Sequence, residues 1–176
     1  MLTLLKFLRS LIKAITSSAA PWQMGIGAGL GILLGFMPIF PSGLGPSPLA
    51  FLVILVAIVI NCHLGSVLLF MGLGKLLGLA LLVPAAAIGN ALAPVAAASA
   101  DIPFLHHSHW SHTGYLGLTI LGLACAPIVG AGMWGFTIWF RTRIQAKLAA
   151  RRKLTVAGKL AGNPLGFKVL CWFMGL

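Results

Sequence analysis

Residues Gly25–Pro48 read GIGAGLGILLGFMPIFPSGLGPSP, with seven glycines and four prolines in an otherwise apolar run. In water each interior glycine weakens a helix by roughly 1 kcal/mol relative to alanine, and each proline by about 3 kcal/mol. Such a helix needs a compensating environment. Gly27, Gly31 and Gly35 recur every four residues, with Gly25 and Gly29 offset by two, so a helix here offers a face almost without side chains. In lipid, helices associate through van der Waals contact rather than water exclusion, and small-xxx-small faces let backbones approach closely enough to make it. The spacing therefore predicts a close-packed helix whose glycines meet another helix of the chain or a second copy of it. Beyond it, Pro38, Pro41, Gly43, Pro46 and Pro48 predict a helix break, with Ser42 and Ser47 available to satisfy freed backbone groups.

Composition supplies the environment. The 176-residue chain is 60% hydrophobic and only 7% charged, whereas about a quarter of residues are charged in soluble domains. Between Pro21 and Phe140 the only side chains ionised at neutral pH are Lys75 and Asp101. This predicts an all-α, polytopic membrane protein with one membrane domain over 21–140, flanked by segments 1–20 and 141–176. Four apolar stretches follow one another: Trp22 to about Phe36, Leu49 to about Met71, Leu76 to about Ala98 with interruptions at Pro84 and Pro94, and Gly114 to Phe140. About 20 residues cross a bilayer core.

Twelve Lys and Arg against one acid give a net charge of +11, concentrated in Lys6 to Lys13 and Arg141 to Lys168. Basic segments that flank apolar spans are retained on the cytoplasmic side and favour anionic headgroups, which argues against nucleic acid as the partner. Both ends inside require an even number of crossings. Four crossings place Lys75 inside, where it snorkels to the surface, and put the 101–113 loop, which has no Lys or Arg, outside. The alternative for the short first stretch and the segment from Pro48 to Asn61 is a re-entrant hairpin of two half-helices meeting at PIFPSGLGPSP.

The N-terminal MLTLLKFLRSLIKAITSS places Lys6, Arg9 and Lys13 on one helical stripe and Leu4, Leu8, Leu11 and Ile15 opposite. It predicts an uncleaved amphipathic helix in the headgroup region or on the protein's own cytoplasmic face. RTRIQAKLAARRK from Arg141 predicts a cytoplasmic helical extension. GNPLGFKVLCWFMGL from Gly162 predicts an interfacial tail, with Asn163 as N-cap and Pro164 at the first helical position. Trp22, Trp110, Trp134 and Trp139 fall near the predicted boundaries, where indoles prefer to lie.

The segment from Ala20 to about Asn61, in which GIGAGLGILLGFMPIFPSG leads into an apolar helix closing on Asn61, resembles the bacterial membrane-protein family known as domain of unknown function 2062. The resemblance covers about a quarter of the chain. It implies an integral inner-membrane protein, a domain that elsewhere accompanies envelope glycosyltransferases, and no catalytic residue to carry over.

The chemistry is read best from what is missing. One carboxylate excludes paired-carboxylate acid–base work and makes the usual divalent-metal phosphoryl site unsuited to this chain. No G-x-S-x-G elbow, H-E-x-x-H or Walker loop occurs. Cys62, Cys125 and Cys171 form neither a disulfide framework nor a CxxC knuckle and read as small hydrophobes. Asp101, His106, His109 and His112 are the one set with metal-ligand spacing, against the plainer reading of a solvated loop with no metal. Asn61 and His63 read as a polar pair within a span, either interhelical glue or the lining of a path.

The expectation is a non-enzymatic inner-membrane protein without a cofactor. It would be the membrane partner of a larger envelope system handling lipid or glycolipid, with homo-oligomerisation open. The alternative is a small-solute transporter or channel built around the proline-rich break.

Overall fold

The computed structural model describes residues 19–39 and 47–145. The amphipathic N-terminal segment, Pro41, Gly43 and Pro46 of the break, and everything from residue 146 onward, including the interfacial tail, lie outside the described residues. Within them the chain is helical throughout. The elements are α1 (Pro21–Phe36), α2 (Pro48–Val59), α3 (Leu64–Ala80), α4 (Leu82–Ala91), α5 (Ala93–Ala100), α6 (Pro103–His107) and α7 (Thr113–Trp139), the last continuing as a π-helical turn over Phe140–Gln145.

α1 starts at Pro21, whose fixed φ suits a first helical position, and Gln23 reaches back to accept the Ala20 N–H at 2.9 Å. It stops because Pro38 forces the preceding Met37 out of helical conformation, to φ −75° and ψ 146°. Between these points α1 is the hub of the fold. Met24, Ala28, Ile32, Leu34 and Phe36 are at most 2% exposed. The helix is held between α3 and α7, which supply most of its neighbours.

Contacts along the three helices fix their directions. Gly27 faces Ser66, Gly31 faces Val67 and Gly35 faces Gly74, so α1 and α3 run parallel. Gly25 faces Trp134, Gly29 faces Ala126 and Phe36 faces Gly122, so α7 runs antiparallel to both. α2 returns from the far end of α1, where Ser47 N–H donates to Ile39 O, to its near end, where Gln23 Nε2 donates to Asn61 O. The near end also holds both flanks of the described chain, since Arg141 donates to Ala19 O at 2.7 Å.

Prolines shape the far end. Pro84 lacks the N–H that the Ala80 carbonyl would accept, and its ring would crowd that carbonyl. α3 accordingly ends at Ala80, and α4 departs at 75° to it. Pro94 likewise stands in the first turn of α5. Pro103 opens α6.

Two of the expected boundaries are corrected. The stretch 49–71 is not one helix: a break at residues 60–63 divides it into α2 and the start of α3. The stretch 76–98 is divided in turn among the end of α3, α4 and α5. Lys75 therefore stands inside a helix rather than in a connecting loop. It lies at the Phe36 end of α1, opposite the end that holds Ala19 and Arg141.

The outer surface is as apolar as the interior. The interior includes Ser47, Ser66, Ser99, Ser108, Thr119 and Thr137, while Val83 is 82% exposed, Val59 75% and Ile128 73%. Thr113–Arg143 is the one described helix long and apolar enough to cross a membrane unaided. α3 and α4 together meet the same length if their bend lies within one span.

Candidate functional site

The predicted glycine face proves to be two faces. Residues two apart on an α-helix point about 200° from each other, so Gly27, Gly31 and Gly35 look toward α3 and Gly25 and Gly29 toward α7. A Cβ added at Gly27 would stand 3.0 Å from His63 O and 3.3 Å from Ser66 Cβ; one at Gly35 would reach 2.5 Å from Gly74 Cα. On the other side, a Cβ at Gly25 or Gly29 would come to 2.8 Å from the carbonyl oxygen of Gly130 or Ala126. The partners contribute small residues of their own: Gly74 on α3, and Gly122, Ala126 and Gly130 on α7. Backbone lies on backbone along both sides of α1, which is the contact small-xxx-small spacing permits. The glycines that the sequence offered for self-association are thus taken up within the chain.

A second close approach, not signalled by the repeat in α1, joins α4 to α7. A Cβ at Gly89 would overlap Thr113 O, and one at Gly117 would overlap Ala85 O. Its sequence signal is the pair Ala85 and Gly89, spaced by four, facing Thr113 and Gly117, also spaced by four.

Asn61 and His63 sit at the α2–α3 break, near the start of α1, rather than within a helix. Asn61 has φ 55°, the left-handed conformation that closes a helix. Its N–H donates to Ile58 O at 2.9 Å and the next N–H, from Cys62, to Ala57 O at 3.2 Å, the two bonds of a Schellman motif. His63 opens α3: its Nδ1 accepts the Ser66 N–H at 3.0 Å, which puts the ring proton on Nε2. Ser66 Oγ donates to Met24 O at 3.0 Å and His63 N–H to Gln23 O at 3.2 Å. Of the pair proposed from sequence as pathway or glue, His63 thus caps α3 with its side chain and fastens it to α1 through its N–H, while Asn61 acts through its backbone.

This gives a testable consequence. A β-branched residue in the left-handed region costs about 1–3 kcal/mol, whereas glycine adopts it freely. Asn61→Val should lower the thermal stability of the purified protein and Asn61→Gly should leave it equal or higher. Equal melting of the two variants would dissociate Asn61 from its backbone role.

At the other end of α1, Pro38 leaves carbonyls of the last turn without helical donors. Lys75 Nζ donates to Met37 O at 2.7 Å. A cation at a helix C-terminus is also favoured by the helix dipole. Of the other residues predicted for the break, Ser47 caps α2 by accepting the Ala50 N–H, and Pro48 takes its first position.

The histidine loop is divided rather than convergent. His107 Nδ1 lies 2.7 Å from Pro103 O on α6. His109, at φ 64°, closes α6 with a second Schellman motif, Trp110 N–H to Leu105 O and His109 N–H to His106 O. It is 5% exposed, its ring 6.1 Å from that of Tyr115. His112 stands at the N-cap position of α7 without a side-chain capping bond, its ring edge-on to that of Tyr115 at 6.0 Å. Asp101 ends α5. Among the described residues no three His, Cys, Asp or Glu side chains gather in a way that could hold a metal ion.

Beside this loop is a cleft of about 330 Å³, lined by Leu82 and Ala86 of α4, His112, and Gly114, Tyr115 and Leu118 of α7. Its walls are almost wholly carbon.

Comparison of the chain with protein-family models, with curated proteins and with solved structures returns no match.

Proposed function

We propose that this chain is a non-enzymatic, four-pass protein of the bacterial inner membrane, serving as the membrane partner of a larger envelope system that handles lipids or glycolipids. The observation that carries the membrane reading is the outer surface, where large Val, Leu, Ile, Phe and Trp side chains stand exposed on the helices. An apolar surface on this scale is stable only against lipid or another apolar surface. The crossings are α1, α2, α3 and α7, which alternate in direction, and α4, α5 and α6 gather at the far end. α1, at 16 residues, rises about 24 Å, and it lies along α7, the helix long enough to span, from Gly122 to Trp134. This supports a crossing hairpin for α1 and α2 over a re-entrant one.

The shared end of Ala19 and Arg141 supports an even number of crossings, with both basic flanks cytoplasmic. Lys75 then belongs to the outer interface, anchored on Met37 O. The partner role draws on the resemblance of residues 20–61 and on a single carboxylate that leaves no carboxylate pair. The transporter alternative is supported less, since His63 caps α3 and both Asn61 and His63 lie at a helix junction rather than within a span. The helix at the centre of the bundle is sealed by glycine-to-backbone contact on two sides.

Topology is tested by a single cysteine at His106 in a background without Cys62, Cys125 and Cys171. Labelling of intact cells by an impermeant maleimide is expected; labelling only after lysis would reverse the orientation. The partner role is tested by isolating the chain from native membranes in mild detergent. A larger envelope protein at near-equal stoichiometry is expected, and recovery of the chain alone would remove the proposal.

A further inference from the structure

We propose that the cleft between α4 and the first turns of α7 holds one acyl chain of a bilayer phospholipid. The inference rests on the membrane reading above and names a ligand for it.

The cleft follows from the backbone. The 75° departure of α4 from α3 carries α4 across α7, and the two helices touch where Ala85 and Gly89 meet Thr113 and Gly117 without an intervening side chain. Two helices crossing at a point diverge to either side of it. The wedge so opened lies between Leu82 and Ala86 on one wall and Gly114 and Leu118 on the other. A Cβ built at Gly114 would have no atom within 4 Å, so the α7 wall is open there.

Continuity with the outer surface and the chemistry of the walls identify the occupant. Leu82 lines the cleft and is itself 49% exposed, and its neighbour Val83 is 82% exposed, so the cleft runs out onto the apolar outer surface. A cavity with carbon walls stays dry. Left empty, it forfeits the dispersion contacts its lining would otherwise make. The medium at its mouth is hydrocarbon, and the volume of about 330 Å³ is that of a small-molecule site. Even His112 and Tyr115, which stand together at the start of α7, add almost nothing but carbon to the wall, so the cleft suits a hydrocarbon chain along its whole length.

The test uses the full-length protein in vesicles containing phosphatidylglycerol with a photoreactive diazirine in one acyl chain, followed by mass-spectrometric mapping of adducts. The internal reference is the outer face of α2, where Leu55 and Ile58 are each 59% exposed and sample bulk lipid. Adducts at residues 82–86 and 114–118 are expected several-fold above that reference in the wild-type protein. Ala86 is exposed, so Ala86→Trp can fill the cleft from its rim. That variant should reduce cleft adducts at least several-fold and leave those on α2 unchanged. Equal adduct density at the cleft and on α2, or links from the cleft to a second copy of the chain, would overturn the proposal. Absence of adducts from α2 as well as from the cleft would instead overturn the membrane reading.

Discussion

Gly31→Leu is expected to abolish recovery of folded protein, while Gly132→Leu is expected to behave as wild type. Both glycines lie in long apolar helices, and both substitutions add the same side chain. They differ in what the side chain meets. A Cβ at Gly31 would overlap Val67 O and stand 3.0 Å from Phe70 Cβ and 3.1 Å from Met71 N, two of these atoms being backbone of α3. Helical backbone cannot yield locally without losing its own hydrogen bonds, so relief requires α1 to move away from α3. That movement is blocked, because on its other side α1 rests on Gly130 and Ala126 of α7. Overpacking by single methylene groups costs about 1–3 kcal/mol, and a whole leucine at this position exceeds that range. Gly132 has no atom within 4 Å of its Cβ position. Fluorescence-detected size exclusion in mild detergent, before and after a heating series, reads both variants. Coincident profiles for the two would show that α1 and α3 are not held by backbone contact.

The repeat of glycines was legible because its rule is local: four-residue spacing alone places Gly27, Gly31 and Gly35 on one side of a helix. What it could not reveal was the division of labour with Gly25 and Gly29. The opposing small residues, Gly74 and the series Gly122, Ala126 and Gly130, lie in distant segments whose own spacing names no partner. The break at 60–63 had a visible signal in Asn61, since asparagine tolerates the left-handed conformation that ends helices. An unbroken hydrophobicity profile on both sides concealed it. Lys75 illustrates a different limit. Its charge suggested a side chain snorkelling to the inner surface, yet its ammonium donates to a carbonyl 38 residues earlier, at a terminus created by Pro38. His109 and His112 were read for their nitrogens; the structure uses the first for its backbone and packs both rings against Tyr115. Metal-ligand spacing in sequence fixes neither of these outcomes.

Gly117→Val is expected to release α4 from α7 while sparing the bundle of α1, α3 and the C-terminal part of α7. A Cβ at Gly117 would overlap Ala85 O and lie 2.9 Å from Gly89 N, so contact at this crossing is made by backbone alone. Valine brings two further carbons and a rigid χ1 in a helix, which removes the option of turning the side chain aside. The α1 contacts on α7 begin at Gly122 and continue through Ala126 and Gly130 to Trp134, one turn and more beyond the crossing. α4 is joined to the bundle chiefly at that crossing and through its hinge with α3 at Leu81. The disturbance should therefore be local. In hydrogen–deuterium exchange on the detergent-solubilised protein, amides of residues 82–100 are expected to lose protection by an order of magnitude or more, with α1 and α3 within error of wild type. The same variant destroys the wedge between Leu82, Ala86, Gly114 and Leu118, so preferential lipid adducts at residues 82–86 should fall to the level of the α2 face. Loss of protection spread evenly over α1 and α3 would mean that the far-end helices and the glycine-packed bundle form one cooperative unit, and that the α4–α7 crossing is needed to hold the whole chain together.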